Sequence, residues 1–328
     1  MIELLKELAG AYGPSSREEE VRKLIQEKIA PFVDEVHTDA LGNLIAVKKG
    51  PGKRIMLAAH MDEIGVVAAY VDEKGFIRFS NMGGVSPFIA AGQRVVFGNG
   101  TVGTVCYEEA LEEMKDLKIN RMYIDIGTIS REETCRYVHP GDMGVFVGET
   151  LEQNGRYISK ALDDRIGCAI LVALAQQIKN LPNEVVFAFT VQEEVGLRGA
   201  GPAAFGIRPD LAVAVDVTST GDTPDCRPLA IDLGKGPAVM IKDAKTLSHP
   251  LIKDTLIRCA EEKSIPYQIE VLNAGANDAG AIHITAGGIP SGGVSIPCRY
   301  LHRPCEMVDK NDVLNTVKLL DAFIHTAF

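Results

Sequence analysis

Three runs of residues decide what this chain can fold into: RIMLAAH at 54–60, EVVFAFTV at 184–191 and LAVAVDV at 211–217. Each has the length of a strand and lacks polar alternation. A strand with one wet face alternates apolar and polar side chains. One that is apolar on both sides must be covered on both sides, as at the centre of a parallel or mixed sheet in an α/β fold. A fourth run at 289–296 has the same character, and shorter strands are expected at 33–37 and 44–48. Helical stretches lie around them: 3–10, a segment ending at Pro31 whose Ser16 and Glu19 have capping-box spacing, 165–179, 248–263 and 309–327. In the last of these, Val313, Leu314, Val317, Leu320, Phe323 and Ile324 form the apolar stripe.

The pattern breaks between residues 68 and 158. Short β runs such as VVAAYVD, QRVVF, TVGTVC and MGVFVG alternate with the turns DEKG, NMGG, GNG and HPGD, and only Ser130–Tyr137 looks helical. The expected architecture is therefore α/β: a mixed sheet with helices on both faces, built from 1–68 and 159–328, interrupted by a small inserted β-barrel-like domain at 69–158. A chain of 328 residues suits two domains, because domains usually run to about 100–200 residues.

Charge and cysteine usage exclude several function classes. A formal net charge of -10 repels nucleic acid and anionic lipid, so neither is an expected partner. No run approaches the roughly 20 apolar residues of a membrane span. The start, MIELLKELAGAYG, is an amphipathic helix rather than a secretory signal. The seven cysteines stand alone with no CxxC, which fits free thiols in a reducing cytoplasm.

Chemistry collects at the strand ends. His60 and Asp62 follow the first apolar run, Glu193 and Glu194 follow the second, Asp216 closes the third, and His302 lies in the loop after the fourth. The histidines and glutamates are unremarkable alone, a single histidine after an apolar strand being more often a structural hydrogen-bonder. A lone carboxylate in an apolar run, as Asp216 is, is costly to bury unless paired with a cation. Together they place several metal-binding groups at the ends of strands of one sheet, where sites in open α/β folds form. Asp163-Asp164 precedes a buried helix. An N-cap accounts for Asp164; a carboxylate shared between two cations accounts for Asp163. Two imidazoles, three ligand carboxylates and one spare carboxylate suit two borderline divalent cations, zinc or cobalt first and manganese next. Adjacent residues at a strand end point in different directions, so one of Glu193 and Glu194 can bind metal while the other moves a proton. Asp62 is placed to accept from the second ring nitrogen of His60 or to fix its neighbour. The remaining histidines, 37, 139, 249, 283 and 325, read as structural or surface residues.

The motifs AAHMDEIG, KALDDRIG, QEEVGLRGA, VDVTSTGD and YLHRP, in this order, resemble the M42 family of dinuclear metallo-aminopeptidases. The likeness spans nearly the whole chain, insertion included. It implies a zinc-peptidase-like catalytic domain in which His60 and Asp216 hold one metal, Glu194 and His302 the other, and Asp163 bridges them. It also implies Glu193 as general base, Asp62 in support of His60, and a cis peptide at Asp163-Asp164. The implied activity is removal of N-terminal residues from peptides with a free amino end, in a homo-oligomer that is a dodecamer built from dimers. Two other readings compete: a glycoside hydrolase of the endoglucanase type using Glu193 with a second acid, and a non-catalytic shell-forming assembly protein.

Overall fold

The computed structural model describes residues 1–111 and 113–328. The apolar runs lie side by side. Glu184–Thr190, Arg54–His60, Leu211–Ser219 and Ser291–Arg299 are consecutive parallel neighbours in one large mixed sheet. Leu44–Lys48 and then Glu35–Thr38 extend one side antiparallel. Glu306–Asp309, Arg156–Ser159 and Leu151–Gln153 extend the other. Ala238–Lys242 pairs with Ser291–Arg299 and carries Gln268–Val271 as a further edge.

The lack of alternation in the central runs is explained by two packed faces. Ile55, Leu57 and Ala59, with Val185, Phe187, Phe189, Val213 and Val215, face a core filled by helices Ile2–Gly10, Glu19–Ile29, Leu162–Gln177 and Lys310–Ile324. The intervening Met56, Ala58, Val186, Ala188 and Ala212 face the alanine-rich helix Ala200–Ile207. Small side chains on that face let the helix lie close to the sheet. Covering both faces leaves the strand ends as the place where polar groups can meet.

The inserted unit is a closed six-stranded barrel: Gly65–Val71, Ile77–Met82, Met122–Asp125, Val102–Tyr107, Arg94–Phe97 and Met143–Phe146, in spatial order. Its core includes Val66, Ile77, Phe79, Val95, Phe97, Val105, Ile124 and Phe146. These strands run from 65 to 146, inside the expected 69–158 at the far end and ahead of it at the near end. Leu151–Gln153 and Arg156–Ser159 are strands of the large sheet, because Arg156–Ser159 pairs with Glu306–Asp309.

Local expectations differ from the structure in places. The helix expected after a Ser16–Glu19 capping box begins at Glu19, but its N-terminus has no side-chain cap. Ser16 has φ 72, and Glu18 turns inward to accept from the N–H of Ser16 at 2.7 Å and of Gln192 at 3.1 Å. A tertiary partner outcompetes the local cap. The helix expected over 130–137 is one turn, Arg131–Thr134, started by Ser130. His249 caps Pro250–Glu262 by accepting from Leu251 N. All seven cysteines are free thiols. Among the described residues, no helix is long and apolar enough to cross a membrane.

Arg165 ties the amino-terminal segment to the strand end that carries the site. Fully buried, it donates to the carbonyls of Leu8, Ala11, Gly13 and Met61 and to Glu63, which also accepts from Lys160. Replacing Arg165 by Met orphans these acceptors, and losing one partner of a buried pair costs about 3–5 kcal/mol. The expected outcome is a denaturant midpoint lowered accordingly, with no comparable loss for the exposed ion-pair variant Lys49→Met.

Candidate metal centre

The four parallel strands deliver their carboxyl ends to one place. Thr190 pairs with His60 across the first two, so the chain turns into Gln192–Glu194 beside the imidazole. Asp216 sits near the end of Leu211–Ser219, and His302 follows Ser291–Arg299 by three residues. Asp163 enters from the start of Leu162–Gln177. There Asp163 and Asp164 depart from helical geometry and the peptide between them is cis.

Two groups of donor atoms result, each with its atoms within 4.8 Å of one another: His60, Asp163 and Asp216, and Asp163, Glu194 and His302. Asp163 belongs to both. Its Oδ1 lies 2.9 Å from Nε2 of His60, and its Oδ2 lies 3.1 Å from Nε2 of His302. Glu194 Oε2 is 3.3 Å from the same His302 nitrogen, and Asp216 Oδ1 is 3.8 Å from His60 Nε2. Glu193 Oε2 stands at 3.9 Å from His60 Nε2 and is in neither group.

Asp62 and Asp164 face away from this centre and hold backbone. Asp62 accepts from the N–H groups of Glu193 at 2.9 Å and Glu194 at 3.2 Å and from the Ser15 hydroxyl at 2.6 Å. It thereby fixes the direction of both glutamates. His60 Nδ1 lies 3.1 Å from the main-chain oxygen of Asp62 and 3.4 Å from its carboxylate. Asp164 accepts from His60 N and Gly167 N, the second being the N-cap contact of the helix.

The electrostatics show what the cluster lacks. Burial drives the carboxyls of Glu193, Glu194 and Asp216 well above the usual range, aided at Glu194 by the charge of Asp163. Burial also opposes a charged His60, but hydrogen bonds to Asp163 and Asp62 outweigh it and raise its pKa. His302 is likewise raised, to about 10, burial being overcome by Asp163 and Glu194. Asp163 is held low by His302 and His60 despite its burial. Oε1 of Glu194 is buried without a hydrogen-bond partner among the described residues. Excess buried carboxylate, an orphaned oxygen and two imidazoles facing a shared aspartate fit a pair of divalent cations.

The centre opens into a cavity of about 380 Å³ whose other walls include Thr218, Asp243, Lys245, Glu270 and Asn277. Residues 217–219 and 274–277 supply part of that wall. Asp243 and Lys245 follow the short strand Ala238–Lys242, and Glu270 lies on the edge strand Gln268–Val271; both strands are too short to read from periodicity. The barrel contributes as well. Gly83 and Gly84 press against Glu194 and His302, and the carbonyl of Gly84 lies 3.2 Å from Nδ1 of His302. That contact leaves Nε2 free to face Asp163.

Residues 42–319 match the family model described as M42 glutamyl aminopeptidase. The chain belongs to the M42 peptidase family. A protein of Acetivibrio thermocellus is 55% identical over 320 residues, covering 98% of this chain and 97% of that protein. An aminopeptidase from the archaeon Desulfurococcus kamchatkensis superposes with a TM-score of 0.95 at 37% identity, over 99% of this chain and 94% of that one. The TET1 peptidase of Pyrococcus horikoshii, described as assembling into a tetrahedron or a large octahedral shell, superposes at 0.89 with 34% identity, over 100% and 99%. The insertion and the large sheet are thus common to this chain and these two solved structures.

A Cβ at Gly84 would overlap the His302 ring, whereas one at Gly206 meets nothing within 4 Å. Gly84→Ala is therefore expected to displace His302 and weaken divalent-cation binding by about tenfold or more, the scale of lost outer contacts to a ligand. Gly206→Ala should leave it unchanged. Calorimetric titration of the metal-stripped proteins checks both.

Proposed function

We propose that this chain is a dinuclear metal-dependent aminopeptidase that removes residues one at a time from the free amino end of peptides. The observation that carries the reading is Asp163, which turns one oxygen to each of two imidazole-containing donor groups while Glu193 stands beside them uncommitted. In this reading His60 and Asp216 hold one cation, Glu194 and His302 the other, and Asp163 both. Bound there, zinc or cobalt, or in their place manganese, would polarise a scissile carbonyl and lower the pKa of a nearby water.

The chain's own residues do the rest. Glu193, on the cavity wall, takes a proton from the attacking water and returns it to the departing amine. Asp62 keeps Glu193 and Glu194 divergent through their N–H groups. The carboxylates around the cavity favour a substrate's ammonium over a blocked, neutral terminus.

Glycoside hydrolysis suits the geometry poorly. It needs two carboxyls roughly 5–9 Å apart on opposite sides of a sugar ring, and it gives no role to His60 and His302 beside Asp163. A non-catalytic shell has no need of convergent donors at all.

Two measurements test the proposal. Digestion of a decapeptide followed by mass spectrometry should show stepwise loss from the amino end and resistance of the N-acetylated form; early internal cuts would overturn it. Glu193→Gln should keep two cations per chain yet lose about 10²–10⁴-fold in rate. Loss of a cation instead would exchange the roles of 193 and 194.

The assembly we propose is a homo-oligomer, taken to be a dodecamer by analogy with the TET peptidases, working in the cytoplasm. The barrel supports it by exposing Phe88, Ile129 and Tyr137, at 56%, 87% and 50%. Light scattering of the metal-loaded protein checks it, and a fully active monomer or dimer would refute it.

A further inference from the structure

We propose that Glu306 is a positioning residue that sets the spacing between the two halves of the centre; this rests on the dinuclear reading above. Glu306 is 2% exposed and belongs to neither donor group. Its Oε2 accepts from the main-chain N–H of Asp163 at 3.0 Å, and its Oε1 accepts from the main-chain N–H of His302 at 2.8 Å. One rigid carboxylate therefore holds the backbones of the shared aspartate and of the histidine opposite it.

The sheet explains how a single side chain reaches both. Glu306 opens Glu306–Asp309, which lies between Ser291–Arg299, the strand leading to His302, and Arg156–Ser159, the strand leading to Asp163. Ser159 is its direct cross-strand partner. The carboxylate bridges forward from this middle strand across the two chain segments that leave its neighbours.

The contact also answers a local strain. His302 has φ 59 and Tyr300 has φ 62, left-handed values that cost a non-glycine residue on the order of 1 kcal/mol or more. The N–H of His302 is held in that conformation by Glu306 on one side, while its ring is held by Gly84 on the other. A purely structural role accounts for this less well: an apolar side chain fills a core position without the cost of burying a carboxylate.

The test compares Glu306→Gln, which keeps the shape but opposes one N–H with an amide NH₂, with Glu306→Ala, which removes both acceptors. Metal-stripped protein is titrated with cobalt(II), followed by calorimetry and by the visible absorption of the bound ion. Wild type is expected to take up two equivalents, and His302→Ala identifies which of them depends on that residue. In both Glu306 variants that equivalent should weaken by about 10–100-fold, with an altered absorption band, while the circular dichroism of Glu306→Gln stays that of wild type. Two equivalents bound with wild-type affinity and spectrum in both variants would overturn the proposal. So would failure of Glu306→Gln to fold, since that assigns Glu306 to the core. If wild type itself binds fewer than two, the dinuclear reading fails first and this proposal falls with it.

Discussion

Mutual repulsion among buried carboxylates is the constraint around which this molecule is arranged. Asp62, Asp163, Asp164, Glu193, Glu194 and Asp216 crowd the carboxyl end of one sheet, most of them shielded from water. At low effective dielectric such a group cannot remain ionised without compensation. The fold resolves this in two ways. Asp62 and Asp164 spend their lone pairs on main-chain N–H groups, which turns them into braces for Glu193, Glu194 and His60. The other four turn to the cavity, where the two imidazoles lie against Asp163 and partly offset them. Positive charge from outside the chain is what that half of the cluster still asks for.

The braces form a graded hierarchy. Arg165 secures the segment after Arg54–His60, Asp62 secures the glutamate pair, Glu18 reaches Gln192, and Glu306 joins Asp163 to His302. Several of the residues they hold, or that adjoin them, have left-handed backbone: Ala161, Gln192, Leu197, Tyr300 and His302. Unfavourable conformations persist where surrounding contacts over-determine them. Here they gather at the strand-to-loop exits that aim the donors.

Much of this was legible from residues alone, for a physical reason. Strands covered on both faces must be apolar throughout, so a carboxylate or imidazole at the end of one stands out, as His60, Glu193, Glu194 and Asp216 do. Other features leave no such trace. Glu306 acts through backbone N–H groups and begins a strand of four residues, too short for periodicity to reveal. Ser16 and Glu19 read as a capping box because local spacing cannot register the partner that Glu18 finds more than a hundred residues away. Gly83 and Gly84 sit in a stretch that reads as an ordinary turn; their closeness to Glu194 and His302 is a property of the folded barrel.

The first and last barrel strands pair with each other, Gly65 with Val145 and Val66 with Gly144. The chain therefore enters and leaves the barrel at neighbouring points, and the barrel closes on itself between two strands, Arg54–His60 and Leu151–Gln153, that lie apart in the large sheet. The entropy of closing a loop grows only with the logarithm of its length. Barrels of other sizes or outer surfaces could then replace this one during evolution at little cost to the catalytic scaffold. The freedom stops at one turn. Whatever is inserted must present a bare backbone where Gly83 and Gly84 meet Glu194 and His302, so the unit is interchangeable as architecture and fixed as chemistry.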